Sequence, residues 1–143
     1  MATLATEEEL LACFRRIDRR HVELAPDLRL PIRVHDLFAW SVGPRAFLLY
    51  RDLADGSPRG LVFQRSTGIA TAISVMCEWC HFARGAGAIK LMSVAADKQR
   101  SLGIYVCSDL GCLTRTRDML APADVDRTLR RVHDFVARVA GTG

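Results

Sequence analysis

Four cysteines fall in two tight pairs, Cys77 and Cys80 in M-C-E-W-C-H and Cys107 and Cys112 in Y-V-C-S-D-L-G-C. The pattern is C-x2-C, a gap of 26 residues, then C-x4-C. Thiolates two residues apart can curl around one cation, and a second pair returned by a hairpin completes a tetrahedron of sulfurs. Four such ligands leave no position for water, so the expected site holds one structural Zn2+ and is not catalytic. The competing readings fit less well. Unrelated buried cysteines would not cluster in pairs framing a hairpin. A redox C-x2-C calls for a βαβ context and would leave the second pair unused.

The remaining chemistry-bearing residues form no constellation. Cys13 has no neighbouring cysteine and reads as a small buried or half-buried side chain rather than a fifth ligand. His81 follows Cys80 directly, but four cysteines already fill the tetrahedron, so it reads as a loop residue. His21, His35 and His133 are scattered, and the chain has no G-x-S-x-G or phosphate-binding glycine loop. Some zinc fingers of this general shape host a nuclease centre, which needs histidine on the hairpin and helix. Gly103–Val106 and Ser108–Arg117 contain none. No enzyme is expected.

The elements that must position the cysteines are legible in outline. Residues 77–80 form a knuckle, and Ile89–Ala95 (I-K-L-M-S-V-A) reads as a strand. Ala96–Leu102 reads as a polar turn with Lys98 and Arg100 near its tip, and Gly103–Val106 as the strand that delivers Cys107. Ser108 can cap a helix beginning at Asp109, which would place Cys112 in its first turn. Knuckle, hairpin and helix in that order make a treble clef.

Upstream, residues 6 to about 21 read as a helix, capped by Thr6 with Glu9 as its capping-box partner. Leu10, Leu11, Phe14 and Ile17 share one face, and Arg15, Arg16, Arg19 and Arg20 form a solvated one. Residues 24–33 carry two prolines and read as an irregular crossing. Residues 34–40 are a short apolar element ended by Trp40, a core residue whose indole N–H needs a backbone acceptor. Arg45–Arg51 and Gly60–Arg65 read as an antiparallel hairpin with Asp55-Gly56 at the tip, and residues 66–76 as one further strand entering the first cysteine. The last helix starts near Ala121, with Pro122 at its first position. Val125, Leu129, Val132, Val136 and Val139 share a face, with Phe135 beside them. The fold class is α+β: an N-terminal helix, an antiparallel sheet and a treble-clef zinc finger with a C-terminal helix. One domain is expected over 1–143, with its only seam near residue 70 between an N-terminal part (1–70) and a zinc lobe (71–143).

The chain has 143 residues, half of them hydrophobic, and a net charge of +4 from 20 Lys+Arg against 16 Asp+Glu. Nearly all the basic residues are Arg, suited to carboxylate and phosphate forks. The excess is mild and permits an acidic partner or RNA without demanding either. No apolar run reaches the roughly 18 residues of a membrane span. The acidic N-terminus lacks a signal pattern, so a cytoplasmic location is expected.

The runs M-C-E-W-C, G-A-I-K-L-M-S-V-A and L-G-I-Y-V-C-S-D-L-G-C resemble the FBP-type C-terminal treble-clef zinc-finger family. That family includes the fusidic-acid-resistance proteins (FusB type), which bind elongation factor G. The match is strongest between about 72 and 115, and L-F-A-W and R-A-F-L-L-Y extend it upstream. The resemblance implies Cys77, Cys80, Cys107 and Cys112 as ligands. It also implies a zinc lobe that docks on elongation factor G and promotes its release from the ribosome, with no small-molecule substrate. Candidate contacts are Phe82 and Arg84 in the loop after the knuckle, and Lys98 and Arg100 at the hairpin tip. The long N-terminal helical bundle of the resistance proteins is not evident. The alternative is an RNA-binding module, weakened by basic residues that are spread rather than striped and by few exposed stacking aromatics.

Overall fold

A computed structural model describes residues 2–65, 75–79, 83–84, 89–107, 110 and 122–141. The central feature is a five-stranded antiparallel sheet of β3 (Leu37–Val42), β4 (Arg45–Arg51), β5 (Pro58–Arg65), β8 (Ile89–Ala95) and β9 (Ser101–Cys107), in that spatial order. Two small pairs flank it: β1 (Ala2–Leu4) with β2 (Ile32–Val34), and β6 (Val75–Met76) with β7 (Ala83–Arg84). The helices among the described residues are α1 (Glu7–Cys13) and α2 (Pro122–Gly141), with a 3-10 turn at Arg19–His21. The class is α+β.

Strand β4 explains the layering. Its run Ala46–Tyr50 is buried throughout, because both faces of the sheet are covered. Ala46, Leu48 and Tyr50 enter one core with Leu61, Phe63, Met92, Val94 and Val106, roofed by Leu129, Val132, Phe135 and Val139 of α2. Phe47 and Leu49 enter the opposite core with Trp40, Val62, Leu10 and Phe14. Period-two alternation therefore sorts β4 between two interiors rather than between core and water.

The N-terminal helix is shorter than its periodicity suggests. Thr6 caps it, its hydroxyl accepting the Glu9 N–H at 3.2 Å, but it ends at Cys13, where Phe14 turns extended (φ −86°, ψ 152°). Two long-range contacts explain the stop. Phe14 bridges Gly60 of β5, and its ring lies where a Gly60 Cβ would be, 2.7 Å away. Arg19 then reaches back, its Nε donating to the Leu11 and Phe14 carbonyls at 3.1 and 3.0 Å and satisfying the open helix end. Arg15 and Arg19 are thus engaged rather than simply solvated, Arg15 holding the Asp18 carboxylate at 2.9 Å.

Trp40 lies inside β3 rather than at its end, and its indole N–H donates to the Glu23 carbonyl at 2.8 Å. The β3–β4 connection turns at Gly43 (φ 57°) and the β4–β5 connection at Gly56 (φ 74°). The β8–β9 turn is confined to 96–100, because β9 begins at Ser101 and Ala96 N–H bonds the Arg100 carbonyl at 2.8 Å. Gln64 pairs with Ser93 and Arg65 with Met92, so strands that precede and follow residue 70 in sequence share one sheet.

Candidate metal centre

Cys77 directly follows the first strand of a small hairpin. Val75 pairs with Arg84 and Met76 with Ala83, which presents residues 77–82 as the connection. Cys77 is fully buried. The step after it is fastened to the sheet edge from both sides. Glu78 N–H donates to the Tyr105 carbonyl at 2.9 Å, and the Glu78 carboxylate accepts the Tyr105 N–H at 3.0 Å. One residue thereby imitates a neighbouring strand and closes the outer edge of β9 at Tyr105. Cys107, two residues farther along β9, is also buried and belongs to the same apolar cluster as Cys77.

The chain turns at Leu110, three residues past Cys107. Leu110 N–H bonds the Cys107 carbonyl at 2.9 Å, and Leu110 has φ 59°. A β-carbon in this left-handed region costs on the order of 1 kcal/mol, and the complete burial of the Leu110 side chain offsets it. This corrects one expectation: a right-handed helix beginning at Asp109 cannot pass through Leu110. Ser108, Asp109 and Cys112 lie outside the described residues.

Behind the knuckle, Trp79 fills the core, edge-on to Phe63 (5.6 Å) and Phe135 (6.1 Å). Arg131 of α2 donates to the Trp79 carbonyl at 2.8 Å, tying the C-terminal helix to the C-x2-C segment. The Trp79 indole N–H is buried without an acceptor among the described residues.

Of the expected ligands, Cys77 and Cys107 are placed in one cluster, whereas Cys80 and Cys112 lie outside the described residues. Among the described residues no group of three His, Cys, Asp or Glu converges. The two thiols are buried, and thiolate sulfur is the soft donor that zinc prefers. His81 and Phe82 also lie outside the described residues, and Arg84 is described only by its backbone in β7. Lys98 and Arg100 are exposed, and Arg100 meets Asp97 at 3.4 Å. Cys13 is half-buried, and burial raises its thiol pKa above the ordinary value.

His133, unassigned in the sequence, joins α2 to the β4–β5 turn. Its Nε2 accepts the Leu53 N–H at 3.0 Å, leaving Nδ1 to donate to the Leu129 carbonyl at 2.8 Å. Its ring stands edge-on to Tyr50. The i−4 carbonyl contact is predictable for a helical histidine; the partner on the β4–β5 turn is not.

The description of the FBP C-terminal treble-clef zinc-finger family matches residues 8–140. The chain belongs to this family. The match includes both cysteine pairs as well as α1, the five-stranded sheet and nearly all of α2, so α1 and the sheet belong to the family's unit as much as the cysteine segment does. No curated protein and no solved structure shows significant similarity to the chain.

Proposed function

We propose that this member of the treble-clef zinc-finger family is a non-enzymatic binding protein of the cytoplasm whose partner is elongation factor G. One structural Zn2+ would be held by Cys77, Cys80, Cys107 and Cys112. The observation that carries the reading is the family match over residues 8–140. The double hydrogen bond between Glu78 and Tyr105 supports the ligand set, since it fixes the first knuckle beside the strand that ends in Cys107. The metal would close the knuckles and stiffen the loops around them, contributing folding free energy to the segment that joins them. Lys98 and Arg100, together with Phe82 and Arg84, are the proposed contacts. Release of the factor from the ribosome is the expected consequence of docking. Among the described residues no helix is long and apolar enough to cross a membrane.

Purified zinc-loaded protein should retain elongation factor G in a pull-down, and Lys98→Glu with Arg100→Glu should reduce retention while zinc content stays at one per chain. Failure of the intact, zinc-loaded protein to retain the factor would refute the reading. Retention of RNA instead, falling steeply with salt, would favour a nucleic-acid module.

A further inference from the structure

We propose that the cleft between the 3-10 turn and the β8–β9 turn is a docking groove for a carboxylate-rich peptide segment. The cleft encloses about 800 Å³, with Arg16, Arg20 and His21 on one side and Lys98 on the other. Ile17 and Ala95, both half-buried, add apolar surface.

The charge balance carries the argument. Two carboxylates border the cleft, Asp18 and Asp97, and both are already engaged. Asp18 is 3 % exposed and accepts Nε and Nη2 of Arg15 at 3.0 and 2.9 Å, as well as a backbone bond from Val62. Asp97 accepts the Gln99 and Arg100 N–H groups, each at 2.8 Å, and faces the Arg100 guanidinium. Arg16 and Lys98 are exposed and meet no carboxylate among the described residues. Arg20 donates to Nε2 of His21 at 3.2 Å, a neutral acceptor that orients the guanidinium without cancelling its charge. Burial, then the charges of Arg45 and Arg20, lowers the His21 pKa. Arg16, Arg20 and Lys98 thus border one concavity whose two carboxylates are matched by Arg15 and Arg100, and none of the three meets a carboxylate among the described residues.

Arginine forks match carboxylates bidentately. The apolar surface of Ile17 and Ala95 suits an aliphatic side chain between acidic ones. A nucleic-acid strand is less suited, because among the described residues no Phe, Tyr or Trp borders the cleft, and the small His21 ring is its sole stacking surface.

The test is fluorescence anisotropy with the full zinc-loaded chain and a labelled peptide of alternating Glu and Leu, beside a labelled oligouridine of equal length. It uses no elongation factor, so its outcome is separate from that of the pull-down. The peptide should bind, and Arg16→Glu with Lys98→Glu should weaken it about tenfold or more. Arg33→Glu, on β2 outside the cleft, should leave binding unchanged. Arg16→Gln with Lys98→Gln gives a milder variant, and circular dichroism confirms folding of each. The proposal is overturned if the wild type does not bind the peptide, if both double variants bind it as the wild type does, or if oligouridine binds more tightly.

Discussion

Glu78→Ala should loosen the proposed zinc site without removing any of its proposed ligands. Glu78 makes two bonds to Tyr105, one through its backbone N–H and one through its carboxylate, and the substitution deletes only the second. A hydrogen bond to a charged acceptor contributes roughly 1.5–3 kcal/mol when shielded. Glu78 is exposed, so solvent screening brings the expected loss to about 1 kcal/mol. The bond positions the C-x2-C segment beside β9, so this loss should appear largely as reduced zinc affinity, roughly fivefold. A chelator competition titration measures it directly. Glu78→Gln keeps an acceptor of the same length and should fall between wild type and Glu78→Ala. Zinc affinity of Glu78→Ala indistinguishable from wild type would refute the reasoning, because the bond would then have no part in holding the site.

Other changes test other parts of the molecule. Cys107→Ser should abolish stoichiometric zinc and lower the melting temperature; metal analysis still giving one zinc per chain would contradict the ligand assignment. Gly60→Ala forces a β-carbon to within 2.7 Å of the Phe14 ring and should cost about 1–3 kcal/mol in urea denaturation, with Phe14→Leu partly relieving it. Burial raises the Asp18 pKa above its ordinary 3.8 despite the Arg15 pair. The folded state therefore binds this proton more tightly than the unfolded chain does, and the group's stabilising contribution, full below 3.8, is lost as pH rises through the folded value. Asp18→Asn should flatten the stability profile in that window; an unaltered slope in denaturation curves would count against the shift. The Cys13 thiol, its pKa raised chiefly by burial, should alkylate more slowly with iodoacetamide than an unstructured cysteine, as mass spectrometry of the labelled chain would read.

What the sequence makes legible is local. Arg45–Arg51 and Ile89–Ala95 are recognisable as strands because their β-rich runs are bounded by turn residues, and Pro122 marks the start of α2 because only a first-turn position tolerates its missing N–H. What stays hidden depends on distant partners. The heptad-like spacing from Leu10 to Ile17 suits a longer helix, yet Phe14 is drawn to Gly60, 46 positions away. Ala2–Leu4 is too short to read as a strand until Ile32–Val34 lies opposite it. Glu78, between two cysteines, gives no sign that its carboxylate serves the backbone of β9. The cysteine pairs themselves stand out because chelation demands fixed local spacing, whereas the left-handed turn at Leu110 requires no glycine to announce it.

Strand β4 has a consequence for how the molecule comes apart. Consecutive side chains of this strand enter opposite interiors, so neither interior can lose its order while the other keeps a complete wall. Melting should therefore be a single all-or-none event rather than two. Metal removal, though its direct effect is confined to one side, should speed amide hydrogen exchange in α1 on the far side as well.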